Sequence, residues 1–438
     1  MRGLAQAPAA SHSNAAMGDA LDADVIIAGA GLTGATLGLA LASAGLKPIL
    51  VDPQPFDAQL APTFDGRASA IAFSSFRQWR ALGLGPSIEP HAQRIEQILV
   101  TDGRGAGAAS AGAGGAFLRF DAAEIAGRPR EKPGEGEPLG YMLENRRSRA
   151  ALAEAVTAAG LTVLAPASVA RVAFGAALAE VTLADGRVLR APLVVGAEGR
   201  GSVAREAAGI EVQGWSYGQS GVVATVHLER DHQGVAYEYF LPSGPFAILP
   251  LTEQRASLVW TEPTRRGEAL RGARDAVFHA HLRRRFGDFL GHVEARGPRF
   301  VYPLSMQLAT QLVEPRLALV GDAAHAIHPL AGQGLNLGLK DAAALAEVLA
   351  DAIRLGEDIG SASVLERYVR WRRLDNIAVS LACDGFNRLF SNDNPILRAG
   401  RGVGMALVNR LGPARRFFMQ EAGGAAGDLP RLLREEAL

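Results

Sequence analysis

Gly321 to Asn336, GDAAHAIHPLAGQGLN, gathers two histidines, an aspartate and three glycines into sixteen residues, and LGLKDAAAL follows. His325 and His328 have the side chains of metal ligands or of a general base. A metal needs a third and a fourth ligand, and none stands at a recognisable spacing, so no metal site is expected. The glycines point to other chemistry. Gly321 and Asp322 end the apolar run Leu317 to Val320, a loop through Pro329 and Gly332 follows, and a helix opens near Gly334, Leu335 and Asn336. Backbone amides and the positive helix end would face whatever lies above them. An isoalloxazine ring gains negative charge at N1 and O2 on reduction, which such a helix end would stabilise. The loop glycines let backbone approach a flat ring without Cβ atoms in the way. Alone, the segment also reads as a plain strand, loop and helix crossover.

A second glycine-rich element fits the same ligand. Val25 to Ala28 reads as a buried strand, and Gly29, Ala30, Gly31, Leu32, Thr33 and Gly34 follow it. A helix over Ala35 to Ala44 ends at Gly45, and Pro48 to Val51 reads as the next strand, with Asp52 at its carboxyl end. In that βαβ setting Gly29 permits the tight turn, Gly31 admits a pyrophosphate, Gly34 allows close helix packing, and Asp52 accepts from ribose hydroxyls. The fingerprint alone suits FAD or NAD. A Gly-Asp strand end about 290 residues later selects FAD, gripped at adenosine by the first element and at ribityl and flavin by the second.

With these residues in place the chain resembles the FAD-dependent aromatic hydroxylases, and more closely their ubiquinone-biosynthesis branch (UbiH, UbiF and VisC type). The likeness runs from about Asp24 to Arg373 and is carried by HPLAGQGLNLGLKD at His328 to Asp341, Asp65-Gly66-Arg67 with Ala68 to Ile71, LGYMLENR at Leu139 to Arg146, and FLPSGPFAILPL at Phe240 to Leu251. The resemblance implies that Arg67 lies near the FAD pyrophosphate, where a guanidinium can hold phosphate oxygens in two directions. It implies that Asn145 or Arg146, at the start of a helix reaching Ala159, touches the flavin nucleotide, with the choice between them open. Pro329, with Gln333, would shape the flavin edge near the oxygen site, and His325 would make a structural hydrogen bond under the loop. LVVGAEGRGSVAR, Leu193 to Arg205, departs from the family by placing Glu198 where Asp is usual, which bears on reductant binding. The implied chemistry is attack of a flavin C4a-hydroperoxide, formed with O2 and electrons from NAD(P)H, on an electron-rich phenolic ring. The implied substrate is a polyprenylated phenol. The alternatives are a hydroxylase of another aromatic compound and a non-catalytic FAD-containing scaffold of a biosynthetic complex.

The elements that must position these residues read as an α/β protein: a Rossmann-like FAD-binding domain with an inserted antiparallel β-sheet substrate domain and C-terminal helices. The FAD-binding part is discontinuous, over 24–95, 120–210 and 300–390. The β-rich part takes 96–119 and 211–299, with strands at Val222 to Leu228, Val235 to Leu241, Phe246 to Pro250 and Ala256 to Glu262, and a helix from about Ala269 to Phe289. Residues 1–23 read as a disordered tail and 103–116 as a flexible hairpin tip. Helical spacing recurs over 341–355 and 363–390. Residues 391–438 read as an amphipathic segment. From Pro395 to Met419 it holds five arginines and no acid, the composition of a contact with an anionic bilayer or a partner.

Lys plus Arg and Asp plus Glu are 45 each, so no global field draws nucleic acid. The single cysteine, Cys383, fits a reducing compartment and reads as a packed thiol. No apolar run is long enough to span a membrane. The expected location is cytoplasmic, with a possible peripheral contact at the inner membrane.

Overall fold

A computed structural model describes residues 21–101, 117–124, 136–329, 332–390, 419, 423–424 and 427–438. The hairpin tip and the stretch 391–418 lie outside the described residues.

Val25–Ala28, all four residues buried, pairs in parallel with Pro48–Val51 on one side and Leu193–Gly196 on the other. Thr162–Leu164 and Leu317–Leu319 extend this parallel sheet outward, and Val313–Glu314 closes one edge antiparallel. Near-continuous apolar strands of this kind need cover on both faces. The helices Leu32–Ser43 and Gln333–Arg354 cover one face, with Leu37, Leu41, Leu339 and Leu345 in a common core. A three-stranded antiparallel sheet, which the sequence reading did not foresee, covers the other through Val172, Val181 and Leu189.

The second large sheet has nine strands, and its long member, Val212–Leu228, pairs antiparallel with Arg255–Pro263 and Phe300–Ala309. Gly244–Leu251 and Val235–Leu241 continue it. Gln97–Thr101 then joins in parallel to Val235–Leu241, the exception to the antiparallel pattern. One face packs Phe246, Ile248, Leu258 and Trp260 against Phe278 and Leu282 of the helix Asp275–Phe286. The other face roofs a cavity.

Three boundaries differ from expectation. Phe300–Ala309 was assigned to the FAD-binding part, yet it pairs along Val212–Leu228 in the nine-stranded sheet, because its alternating burial suits a half-covered antiparallel strand. Phe117–Asp121 likewise stays in that sheet past residue 119. The helix expected over Ala269 to Phe289 is two helices, Thr264–Arg271 and Asp275–Phe286, parted at Gly272. At the C-terminus, Leu432 and Leu433 are buried in the main core and Arg431 bridges Glu347 and Asp351, so residues 427–438 pack on the folded body.

Candidate active site

The two glycine-rich elements meet at one cavity of about 1720 Å³, lined by Gly31, Thr33, Asp322, Pro329 and Gly334 among others. Ligand pockets usually hold roughly 300–1,000 Å³. There is room for a dinucleotide and a second molecule.

The fingerprint glycines divide their work as the spacing requires. A Cβ on Gly29 would lie 2.4 Å from the Ala197 carbonyl oxygen, and its φ of +101° suits glycine. A Cβ on Gly34 would lie 2.0 Å from the Gly29 carbonyl oxygen, so Gly34 packs the helix onto the turn and does not itself line the cavity. A Cβ on Gly31 would meet nothing within 4 Å. That open cradle sits at the N-terminus of Leu32–Ser43, whose first turn carries no side-chain cap and no acid. The helix Gln333–Arg354 begins the same way, after Gly332 in the left-handed region at φ 64°. Two uncapped helix ends on one cavity leave amide donors for an anionic ligand.

Asp52 accepts from the Ala30 amide at 2.8 Å and from the Gln54 amide at 2.8 Å, so the carboxylate expected to meet a ribose also fixes the turn beside it. Asp65 organises the opposite wall. It accepts from Arg67, Asn145, Arg149 and the Tyr302 hydroxyl. Burial would raise its carboxyl, but the hydrogen bonds and charge of Arg67, with the bond from Asn145, hold it well below the usual carboxylate range. Arg67 lies over the Tyr302 ring and lines the cavity.

The structure also separates the pair left open by the sequence. Asn145 is buried, lines the cavity and is held between Asp65 and Ser69, whereas Arg146 turns to Glu144 at 3.4 Å and does not line it. The residue that sequence reasoning missed is Arg149. One helical turn beyond Asn145 on the same face, it lines the cavity, gives Nη2 to Asp65, and leaves buried Nε and Nη1 without a protein partner. Orphaned guanidinium donors are what a phosphate would satisfy. Arg149→Ala is expected to weaken FAD binding about 10- to 100-fold, the range for charge-assisted hydrogen bonds, while Arg146→Ala leaves it unchanged. Flavin fluorescence titration reads both.

Gly321, at φ +59°, packs against Thr33 and lies behind the cavity wall, while Asp322 is exposed and faces in. Leu32, Gly332, Gln333, Leu335 and Asn336 line the cavity as well. The Asn336 side chain accepts from the Ala72 amide and donates to the Ala70 and Gly332 carbonyls, so it ties the loop to the strand Ala68–Ala72. His325 makes a buried hydrogen bond to Asp341, which also accepts from the Gly321 amide and from Arg372. His328 is different in kind. Both its ring nitrogens are buried without a partner beside the Tyr217 edge, and burial pushes its pKa down to about 4, so it is neutral near pH 7. Among the described residues no group of three His, Cys, Asp or Glu could hold a metal ion. Burial pushes the Cys383 thiol up to about 11, which leaves it an unreactive lining group.

Glu198 accepts from Ser202, the N-cap of the short helix Val203–Ala207, and from the Ala204 amide at 3.4 Å, while lining the cavity. Burial raises its carboxyl against the opposing hydrogen bond from Ser202.

Residues 22–379 match the model of the FAD binding domain family. The chain belongs to that family. Its donors, cradle and uncapped helix ends fit the cofactor. The chain is 43% identical to a ubiquinone hydroxylase, UbiL, of Rhodospirillum rubrum, over 99% of this chain and 98% of that one. It is 36% identical to the 3-demethoxyubiquinol 3-hydroxylase of Escherichia coli, over 92% and 98%. The solved structure of p-nitrophenol 4-monooxygenase PnpA from Pseudomonas putida has the same fold, with a TM-score of 0.74 at 18% identity, over 93% of this chain and 99% of that one. The protein is an FAD-dependent aromatic-ring monooxygenase of the ubiquinone-biosynthesis branch.

Proposed function

We propose that the enzyme hydroxylates the ring of a polyprenylated phenol, with O2 as the oxygen source and NAD(P)H as the electron source. The observation that carries this reading is the cavity's second half. Beyond the flavin loop it runs under the nine-stranded sheet, whose facing side chains include Ile98, Val100, Leu118, Phe120, Leu249 and Val259. An alkyl-lined channel continuous with the flavin site suits a ring carrying a prenyl tail. The relatives named as hydroxylases of ubiquinone and of demethoxyubiquinol support the same substrate class.

FAD, when bound, supplies the activation of O2. The chain's own residues do the rest. Arg67, Arg149 and the two helix ends would hold the FAD phosphates, Pro329 and the Gly332 turn would border the flavin ring, and the apolar roof would keep water from the reacting carbon. His328, neutral and without a protein partner, is available as a hydrogen-bonding group at that edge. No helix among the described residues is long and apolar enough to cross a membrane. Leu374, Ile377 and Leu381 are exposed on the helix Ala362–Phe390, and Leu374 also lines the cavity. These residues support a peripheral contact through which a membrane-borne substrate enters, within a biosynthetic complex or at the bilayer itself. Flotation with anionic vesicles, before and after truncation at Pro395, checks the contact, and unchanged flotation would remove the C-terminal segment from it.

The compound that accumulates when the gene is deleted tests the substrate. A polyprenyl phenol one hydroxylation short of the quinone is expected. Accumulation of a different aromatic compound, with quinone levels intact, would favour the hydroxylase of another substrate.

A further inference from the structure

The roof of the cavity carries a group that does not belong to an apolar wall. Along Val235–Leu241, Tyr239 packs into the aromatic core and Tyr237 touches both that core and the cavity, while Ala236, Glu238 and Phe240 line the cavity. Strand register places Glu238 beside Val100 on one side and Ala247 on the other, with Val259 next to Ala247. All three neighbours line the cavity. Phe240, two residues on, packs with Ile327 and Leu337, from the flavin loop and the helix that follows it. Glu238 therefore stands roughly 7 Å along the strand from the point where the roof meets that loop.

A carboxyl among alkyl groups carries a desolvation cost, and a leucine at this position would continue the wall without it. That burial raises the Glu238 carboxyl to about 8. The cost is offset when a ligand brings a polar group to the same place. The polyprenyl phenol proposed above has one such group, its ring hydroxyl.

We infer that Glu238 is a catalytic residue that receives the substrate's phenolic hydroxyl in the apolar roof, accepting its hydrogen bond and then its proton. This rests on the polyprenyl-phenol reading. As the phenolic O–H bond breaks, its electron pair stays on oxygen and delocalises to the ortho and para carbons, and the proton forms a new O–H bond at the Glu238 carboxylate. The ring carbon made electron-rich in this way takes one oxygen atom from O2, the second leaving as water with the electrons of the reductant. Glu238 returns its proton to the phenolic oxygen as the ring loses its C–H proton and regains aromaticity. The carboxyl also sets orientation, since a ring held by its hydroxyl offers a fixed edge to the flavin.

The test uses the FAD-loaded wild-type enzyme, Glu238→Leu and Glu238→Gln, titrated with 2-geranylphenol and with its O-methyl ether while the flavin absorbance is followed. At about pH 9, where the Glu238 carboxyl is ionised, wild type is expected to bind the phenol about tenfold more tightly than the ether, as a hydrogen bond to a charged group implies. Glu238→Leu should bind both alike, with ether affinity unchanged. Glu238→Gln, nearly isosteric and retained as the safeguard should the leucine variant fail to fold, should lose about 100-fold in phenol hydroxylation because it cannot take the proton. A phenol preference surviving in Glu238→Leu, or full hydroxylation by Glu238→Gln, overturns the role of Glu238 alone. A wild-type flavin that neither compound perturbs overturns the polyprenyl-phenol reading, and this role with it.

Discussion

Gly31→Val is expected to give a folded protein that holds no FAD. The position has extended backbone, φ −70° and ψ −172°, which valine adopts readily, and a Cβ there meets no protein atom within 4 Å. Apoprotein stability should therefore stay within about 0.5 kcal/mol of wild type, as for a surface change. The space the isopropyl group fills is the approach of the pyrophosphate to the helix end. Affinity should fall at least about 1,000-fold, roughly 4 kcal/mol. The ratio of flavin to protein absorbance, with a urea midpoint for the apoprotein, reads both quantities. Gly34→Ala is the contrast, because its Cβ would lie 2.0 Å from a backbone oxygen and must displace the turn, costing fold and cofactor together. A Gly31→Val protein that stays yellow would mean that no phosphate lies over this turn.

Asp341→Asn is expected to destabilise the protein by about 3–5 kcal/mol, the cost of stranding a buried charge. Asp341 is fully buried and accepts from His325, Arg372, Asn376 and the Gly321 amide. Burial works against its ionisation, yet the charges of His325 and Arg372 pull its pKa down to about 2. His325 moves the other way. Burial opposes its charge, but Asp341 raises its pKa above the usual 6.5. The signs fix the pH window. A depressed carboxylate contributes stability that is present above its unfolded pKa, about 4, and lost as pH falls towards 2; a raised histidine contributes stability present below about 6.5 and lost as pH climbs through its folded value. Wild type should gain most from this cluster between about pH 4 and 6.5, and Asp341→Asn should lose that dependence. Urea denaturation at several pH values measures it. A variant as stable as wild type across the range would remove the cluster from the support of the flavin loop, since Gly321 is anchored through it.

The parts of this site that were legible in the sequence are those in which one local constraint fixes one residue type. Gly29 needs positive φ, Gly34 needs a missing Cβ, and both needs appear in the spacing of the fingerprint. The strand Val235–Leu241 is legible to the residue because β-forming Val, Tyr, Tyr and Phe run between Gly234 and Pro242. Where the decisive interaction is long-range, local pattern was silent. Arg149 looks like any helix arginine until Asp65, 84 residues earlier in the chain, is placed against it. Glu238 sits in a readable strand, but which face of that strand looks at the cavity depends on where the sheet lies over the flavin loop. The 17-residue strand Val212–Leu228 was recognised only in its apolar second half, since its first half is largely exposed and its register shifts between Ser216 and Ser220. The divided helix after it was missed because Gly272 alone does not demand a break.

The most direct test of the central claim is a single turnover that bypasses the choice of reductant. The FAD-loaded enzyme is reduced with dithionite in the absence of air, mixed with a short-chain prenyl phenol and 18O2, and the product is analysed by mass spectrometry. One labelled oxygen on the ring, in near-stoichiometric yield with the flavin reoxidised, is the expected result. Complete flavin reoxidation with the phenol recovered unlabelled would contradict it.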